Sequence, residues 1–207
     1  RESKRGTRLH PPVPGVLYVS PRAPSKAYCD GCRTAASAVE IVESLDADTV
    51  IFGPDHNLAD YVQKKTGKTI IPVPEWGFCP THLLFQPEDV HILKTEYPEA
   101  SVMVHPECTP EVRSLADFVG STSQMCRYAK ENDSKTFIVA TEEGILHRLK
   151  SQNPQKQFIL AYEEAICPNM KLNTLAKAIA ALDEGGNEIT VPPAVRERAL
   201  RAVERMV

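Results

Sequence analysis

Ser101-Val102-Met103-Val104-His105-Pro106-Glu107-Cys108 is an apolar run that stops abruptly at a histidine and a carboxylate. A buried strand followed at once by polar residues is where α/β proteins carry their ligands. The pattern occurs twice more: Thr49-Val50-Ile51-Phe52 runs into Gly53-Pro54-Asp55, and Phe137-Ile138-Val139 runs into Ala140-Thr141-Glu142. Short apolar runs alternating with helical periodicity mark βα units on mainly parallel sheets. The expected fold class is α/β, with two similar three-layer α/β/α domains on short parallel sheets.

Working outward, Val16 to Val19 reads as the first strand, and Thr34 as the cap of a helix whose stripe is Ala38, Ile41, Val42 and Leu45. A helix from about 56 to 65 ends at Gly67, a left-handed cap, and leads to a strand over 69–73. Gln86-Pro87-Glu88-Asp89 opens a further helix. Beyond it, strands are expected at 101–104, 118–119, 137–140 and 158–161, with helices between them and two amphipathic helices at 174–182 and 193–206. The expected division is 1–15 as a poorly ordered lead-in, 16–85 as one domain, and 86–207 as a second that includes the C-terminal helices.

The formal net charge of the 207 residues is -3, with 25% charged residues. No basic field exists to attract nucleic acid or anionic lipid. No apolar stretch approaches the ~20 residues that span a bilayer, and no signal-peptide core follows Arg1-Glu2-Ser3-Lys4-Arg5. A cytoplasmic protein is expected. Its six cysteines would then be reduced and available to metals.

Cys79 and Cys167 each precede a proline in a loop, far apart in sequence, which suggests a metal held between structural units. Two thiolates are too few to close a site, and His82, three residues past Cys79, either shares it or lies on the surface. Cys29-Asp30-Gly31-Cys32 is a C-x-x-C without a second pair, so a zinc or dithiol module ranks last. Cys126 reads as core. Asp55 reads as a helix cap. Gly120-Ser121-Thr122-Ser123 opens a helix where an anion could bind, though a plain cap is the commoner use. His105 and Glu107 suit acid–base work or ligand orientation, against the commoner structural turn.

Six ordered motifs together make the chain resemble the quinolinate synthase family, from Tyr18 to Val207. They are Ile51-Phe52-Gly53-Pro54-Asp55-His56-Asn57-Leu58, Gly77-Phe78-Cys79, Val104-His105-Pro106-Glu107-Cys108, Val119-Gly120-Ser121-Thr122-Ser123, Ala140-Thr141-Glu142 and Cys167-Pro168-Asn169-Met170-Lys171. The resemblance implies three similar domains around a central 4Fe-4S cluster that takes one cysteine from each domain. It implies a transferase of NAD biosynthesis, condensing iminoaspartate with dihydroxyacetone phosphate to quinolinate. It assigns Cys79 and Cys167 to the cluster, and Tyr18, His105 and Glu107 to catalysis. It assigns Tyr18, Ser20, His82, His105, Glu107, Ser121 and Thr122 to substrate binding. Cys108 is not a cluster ligand in the family.

The chain matches the last two domains, so the family's first domain and its cysteine are expected to be missing here. Ser20 stands where the family has asparagine, and Ala35 and Ser37 depart from its Thr-Ser-Ala-Asn-Ala turn. L-Aspartate oxidase or dehydrogenase would supply the iminoaspartate. The contrasting expectation is a non-catalytic remnant that binds an anion or a partner through an uncovered face.

Overall fold

Two four-stranded sheets, each wholly parallel, carry the chain in the same strand order. A computed structural model describes residues 13–18, 21–186 and 188–206. The first unit comprises β1 (Gly15–Tyr18), α1 (Ala23–Lys26), β2 (Gly31–Arg33), α2 (Ala38–Glu43), β3 (Thr49–Gly53), α3 (His56–Thr66) and β4 (Thr69–Pro72). The second comprises α4 (Pro87–Glu96), β5 (Ser101–Val104), α5 (Pro110–Arg113), β6 (Phe118–Val119), α6 (Thr122–Glu131), β7 (Thr136–Ala140), α7 (Ile145–Gln152) and β8 (Gln157–Leu160). The orders β2-β1-β3-β4 and β6-β5-β7-β8 place the first strand of each unit between its second and third. The chain reverses its winding there, so a crevice opens at the carboxyl ends of β1 and β3, and again at β5 and β7.

Local chemistry accounts for the boundaries. The Asp55 carboxylate accepts the Leu58 N–H at 2.7 Å and caps α3, and Gly67 ends it at φ 70°. Gln86 and Asp89 exchange a capping box at the start of α4, and Ser121 and Gln124 do so at α6. Thr34 behaves differently from expectation. Its hydroxyl meets that of Ser37 at 3.2 Å in a tight turn, and α2 begins only at Ala38.

α2 and α3 cover one face of the first sheet, where Val16, Val50, Phe52, Leu58 and Val62 form the core. In the second unit both faces are packed, with Val102, Val104 and Ile138 on one side and Met103, Phe137 and Val139 on the other. Alternation along a strand produces this split. Ile51 and Ile71, paired across β3 and β4, remain 37% and 44% exposed on the first sheet's other face.

α8 (Leu175–Glu184) and α9 (Pro193–Glu204) follow. Sequence order groups α9 with the second unit, but it packs on α1 and β2 of the first, and Arg205 donates to the Asp30 carbonyl at 2.7 Å. α8 has no buried residue, and its Leu175 and Leu182 stand open. Among the described residues no helix is long and apolar enough to cross a membrane.

Candidate active site

His105 follows β5 directly, and its N–H donates to the Ala140 carbonyl that ends β7. Pro106 and Glu107 then turn the chain, with Cys108 N–H closing back on the His105 carbonyl at 3.0 Å. His82 comes from the other unit, on a short 3-10 turn (His82–Leu84) just past the Cys79 loop. Its ring lies on that of His105, centroids 4.2 Å apart and planes 8° from parallel. His82 Nε2 meets Thr141 Oγ1 at 3.0 Å, and Nδ1 lies 3.1 Å from Glu107 Oε2. That second approach has an ion pair's distance without a hydrogen bond's alignment, so Nδ1 has no directed partner among the described residues.

Arg113 keeps the units in place. It donates to the carbonyls of Asn57 in α3 and Pro106 in the His-Pro-Glu turn, at 2.8 and 3.2 Å, and pairs with Asp60. The same guanidinium thus ties the first unit to the turn that carries Glu107.

The stacked histidines are unlike in charge. The Glu107 N–H donates to His105 Nδ1 at 3.3 Å, so the neutral ring carries its proton on Nε2. Burial and the neighbouring His82 push the His105 pKa down to about 3. Burial opposes charge on His82 too, but the Cys79 thiol and the Glu107 carboxylate outweigh it and push His82 up to about 9. Burial would raise Glu107, yet His82, His105 and Arg33 together hold it below the ordinary carboxylate range. At neutral pH the cluster is therefore a His82 imidazolium, a Glu107 carboxylate and a neutral His105.

Tyr18 ends β1 and is paired in register with Arg33 of β2. Burial and Glu107 raise the Tyr18 pKa, and Arg33 partly opposes them. Arg33 itself is fully buried, its guanidinium 3.9 Å from the Phe52 ring centroid and 4.9 Å from that of Tyr18. Nη2 donates to the Gly53 carbonyl at 2.9 Å, while Nε and Nη1 lack partners among the described residues. Sequence reading missed this residue, because an arginine beside a cysteine and a threonine carries no mark of burial.

The two loop cysteines are held alike. Asp55, after β3, accepts the Cys79 N–H at 2.9 Å, and Glu142, after β7, accepts the Cys167 N–H at 3.4 Å. In both units an acid beyond the third strand anchors a cysteine in the loop beyond the fourth. Gly77 lets the Cys79 loop close, since a β-carbon there would overlap the Pro54 carbonyl oxygen. Both thiols are free and half-buried. Cys79, His82 and Glu107 present donor atoms all within 4.8 Å of one another, and Cys167 is not one of that trio.

A cavity of about 400 Å³ joins His82 and His105 to Thr122, Thr141, Glu142 and Lys171. Ser121 lies beside it with its hydroxyl committed to capping α6. Ser20 falls outside the described residues. Cys29 and Cys32 are separate from this site: Cys29 Sγ approaches the Ser25 carbonyl at 3.4 Å, Cys32 is wholly buried in β2, and burial raises both thiols. Neither is a poised thiolate.

The family described as quinolinate synthetase A protein matches residues 1–207. The chain belongs to that family. It is 49% identical to a quinolinate synthase of Dehalococcoides mccartyi, over 96% of this chain and 65% of the relative. A quinolinate synthase of Methanothermobacter thermautotrophicus is 48% identical over 97% of this chain and 66% of its own length. For that of Thermotoga maritima the figures are 44%, 95% and 65%. The chain thus spans about 65% of the length of the curated relatives it matches.

Proposed function

We propose that this chain supplies two thirds of a quinolinate synthase, the part that binds and reacts its small anionic substrates. The stacked pair His82 and His105, with Glu107 between the units, is the observation that carries the reading. The reaction would condense iminoaspartate with dihydroxyacetone phosphate, releasing inorganic phosphate and water to form quinolinate. A chemistry that both removes and delivers protons needs an acid and a base side by side. His82 as imidazolium delivers a proton and the Glu107 carboxylate receives one. His105, neutral, donates an Nε2–H bond to a substrate oxygen without adding charge. The N-terminus of α6 at Thr122 faces the cavity and favours an anionic group there, beside Lys171, whose ammonium is paired with Glu142 and Glu143.

The residues fit a 4Fe-4S cluster at two of its ligand positions. Cys79 and Cys167 are free thiols on equivalent loops, each with its amide fixed by a carboxylate. When bound, the cluster would offer an iron without a protein thiolate as a Lewis acid toward substrate. The remaining third of the family's length would bring the further cysteine. It would also cover Ile51, Ile71 and α8, whose exposure otherwise favours the alternative of a non-catalytic, partner-binding fragment. A cytoplasmic setting, and an aspartate oxidase or dehydrogenase as iminoaspartate source, complete the proposal.

The test is anaerobic purification of the full-length protein that contains this chain, with iron, sulfide and quinolinate formation measured. Cys79→Ser and Cys167→Ser should each lose iron and product together. Wild-type protein without iron or product would remove the catalytic reading in favour of the fragment.

A further inference from the structure

The cavity of about 400 Å³ that holds His82 and His105 is also lined by Thr122 and Cys126 of α6 and by Ile145 and Arg148 of α7. Positions four apart on α6 and three apart on α7 share a helix face, so the cavity extends along both helices, which lie against each other. His105, 6% exposed, lines it too. The Glu107 N–H engages its Nδ1, which leaves Nε2 for the cavity.

A ligand for this space has to suit its charge. Lys171 Nζ lies 3.1 Å from Glu142 Oε1 and 2.9 Å from Glu143 Oε1, so its ammonium is already compensated. Glu142 commits its other oxygen to the Gly144 N–H at 2.7 Å. Arg148, by contrast, pairs with no carboxylate among the described residues. Its charge reaches the lining, because burial raises the Cys126 thiol and Arg148 partly opposes that rise. One uncompensated cation therefore stands beside the first turn of α6, whose free N–H groups also favour negative charge. A guanidinium matches the oxygens of a phosphate or a carboxylate with several coplanar donors.

We propose that Arg148 is a specificity-determining residue that binds an oxyanion, phosphate or carboxylate, in this cavity. Binding itself needs no assumption about the reaction. Its role in turnover rests on the proposed function, under which the oxyanion is the phosphate of dihydroxyacetone phosphate or a carboxylate of iminoaspartate. The histidines and Glu107 then handle protons, while Arg148 fixes where the charged end of the substrate lies.

Inorganic phosphate and succinate are the probes, titrated calorimetrically into the reduced full-length protein that contains this chain. Wild type should bind at least one of them. Arg148→Gln should weaken that binding by at least about tenfold, and Arg148→Lys should recover most of the loss. Lys150→Gln, at an exposed position of the same helix outside the cavity, should leave it within about twofold. The probe that Arg148→Gln loses identifies the oxyanion. In anaerobically reconstituted protein, Arg148→Gln should raise the KM of the substrate carrying that group by more than it lowers kcat. Circular dichroism, iron and sulfide content confirm that each variant is folded and loaded. Neither probe bound by wild type, equal affinity in Arg148→Gln, no recovery in Arg148→Lys, or a fall in kcat with KM unchanged overturns the proposal. Probe binding that depends on Arg148 in a protein that forms no quinolinate would uphold the oxyanion site and overturn the catalytic reading alone.

Discussion

The imidazole of His82 lies flat against that of His105, 4.2 Å between centroids, although the two residues come from different sheets. Two stacked rings in one desolvated space do not both carry charge. The Glu107 carboxylate lies 3.1 Å from His82 Nδ1 and 4.0 Å from His105 Nδ1, so His82 takes the proton. One positive charge is thereby poised against one carboxylate, with a neutral donor beside them.

In metal-free protein, nitrogen NMR of the imidazoles should show His105 neutral and protonated on Nε2 down to below pH 5, and His82 charged through pH 8. This follows from pKa values of about 3 and about 9 respectively. Two ordinary titrations near pH 6.5 would contradict the assignment.

Stability of the metal-free chain should fall on both sides of neutrality. His82 has a folded pKa above its unfolded 6.5, so its contribution is full below pH 6.5 and lost as pH rises through about 9. His105 has a folded pKa below 6.5, so the unfolded chain binds the extra proton and stability is lost as pH falls from 6.5 toward 3. Each amounts to a few kcal/mol, on the order of 3. Urea midpoints across pH 4 to 10 measure it, and His82→Gln should flatten the alkaline limb and, by removing one cause of the low His105 pKa, make the acid limb shallower as well.

Arg113 should be the most costly side chain to remove between the units. Arg113→Ala strips partners from the Asn57 and Pro106 carbonyls and from Asp60. A loss of about 3–5 kcal/mol is expected by denaturant unfolding. Asp60→Asn should cost less, because Asp60 is a third exposed and the carbonyl contacts survive. Equal losses would place the junction's strength elsewhere.

Arg33 presents the opposite case. It is a fully buried cation held by one carbonyl and two aromatic rings, with no acidic side chain in ion-pair reach among the described residues. Arg33→Met, similar in length, should raise stability by about 1–3 kcal/mol. It should also weaken substrate binding, since the site loses a positive charge felt by Tyr18 and Glu107. A destabilised variant with unchanged substrate binding would make Arg33 structural.

Much of this arrangement is legible in the sequence where local rules suffice. The runs through Val50 and Phe52, Val102 and Val104, and Phe137 to Val139 have the period and length of buried strands, and Asp55, Gly67 and Gln86 are caps with fixed chemistry. β2 escapes the same reading because Gly31-Cys32-Arg33 is three residues long with no apolar alternation. α9 shows its periodicity but not its destination, since nothing local tells that Arg205 reaches Asp30. The trio Cys79, His82 and Glu107 is non-local in the same way. His82 and Thr141 are 59 residues apart, and only the facing crevices of two repeated units bring them together.

Under the proposed function, Glu107 accepts the proton beside His82. The most direct measurement of that step is quinolinate formation by anaerobically reconstituted full-length protein carrying Glu107→Gln, with iron and sulfide determined on the same sample. The expected result is wild-type iron and sulfide with product formation reduced about 10²–10⁴-fold. Near-wild-type turnover in a variant with its cluster intact would contradict it.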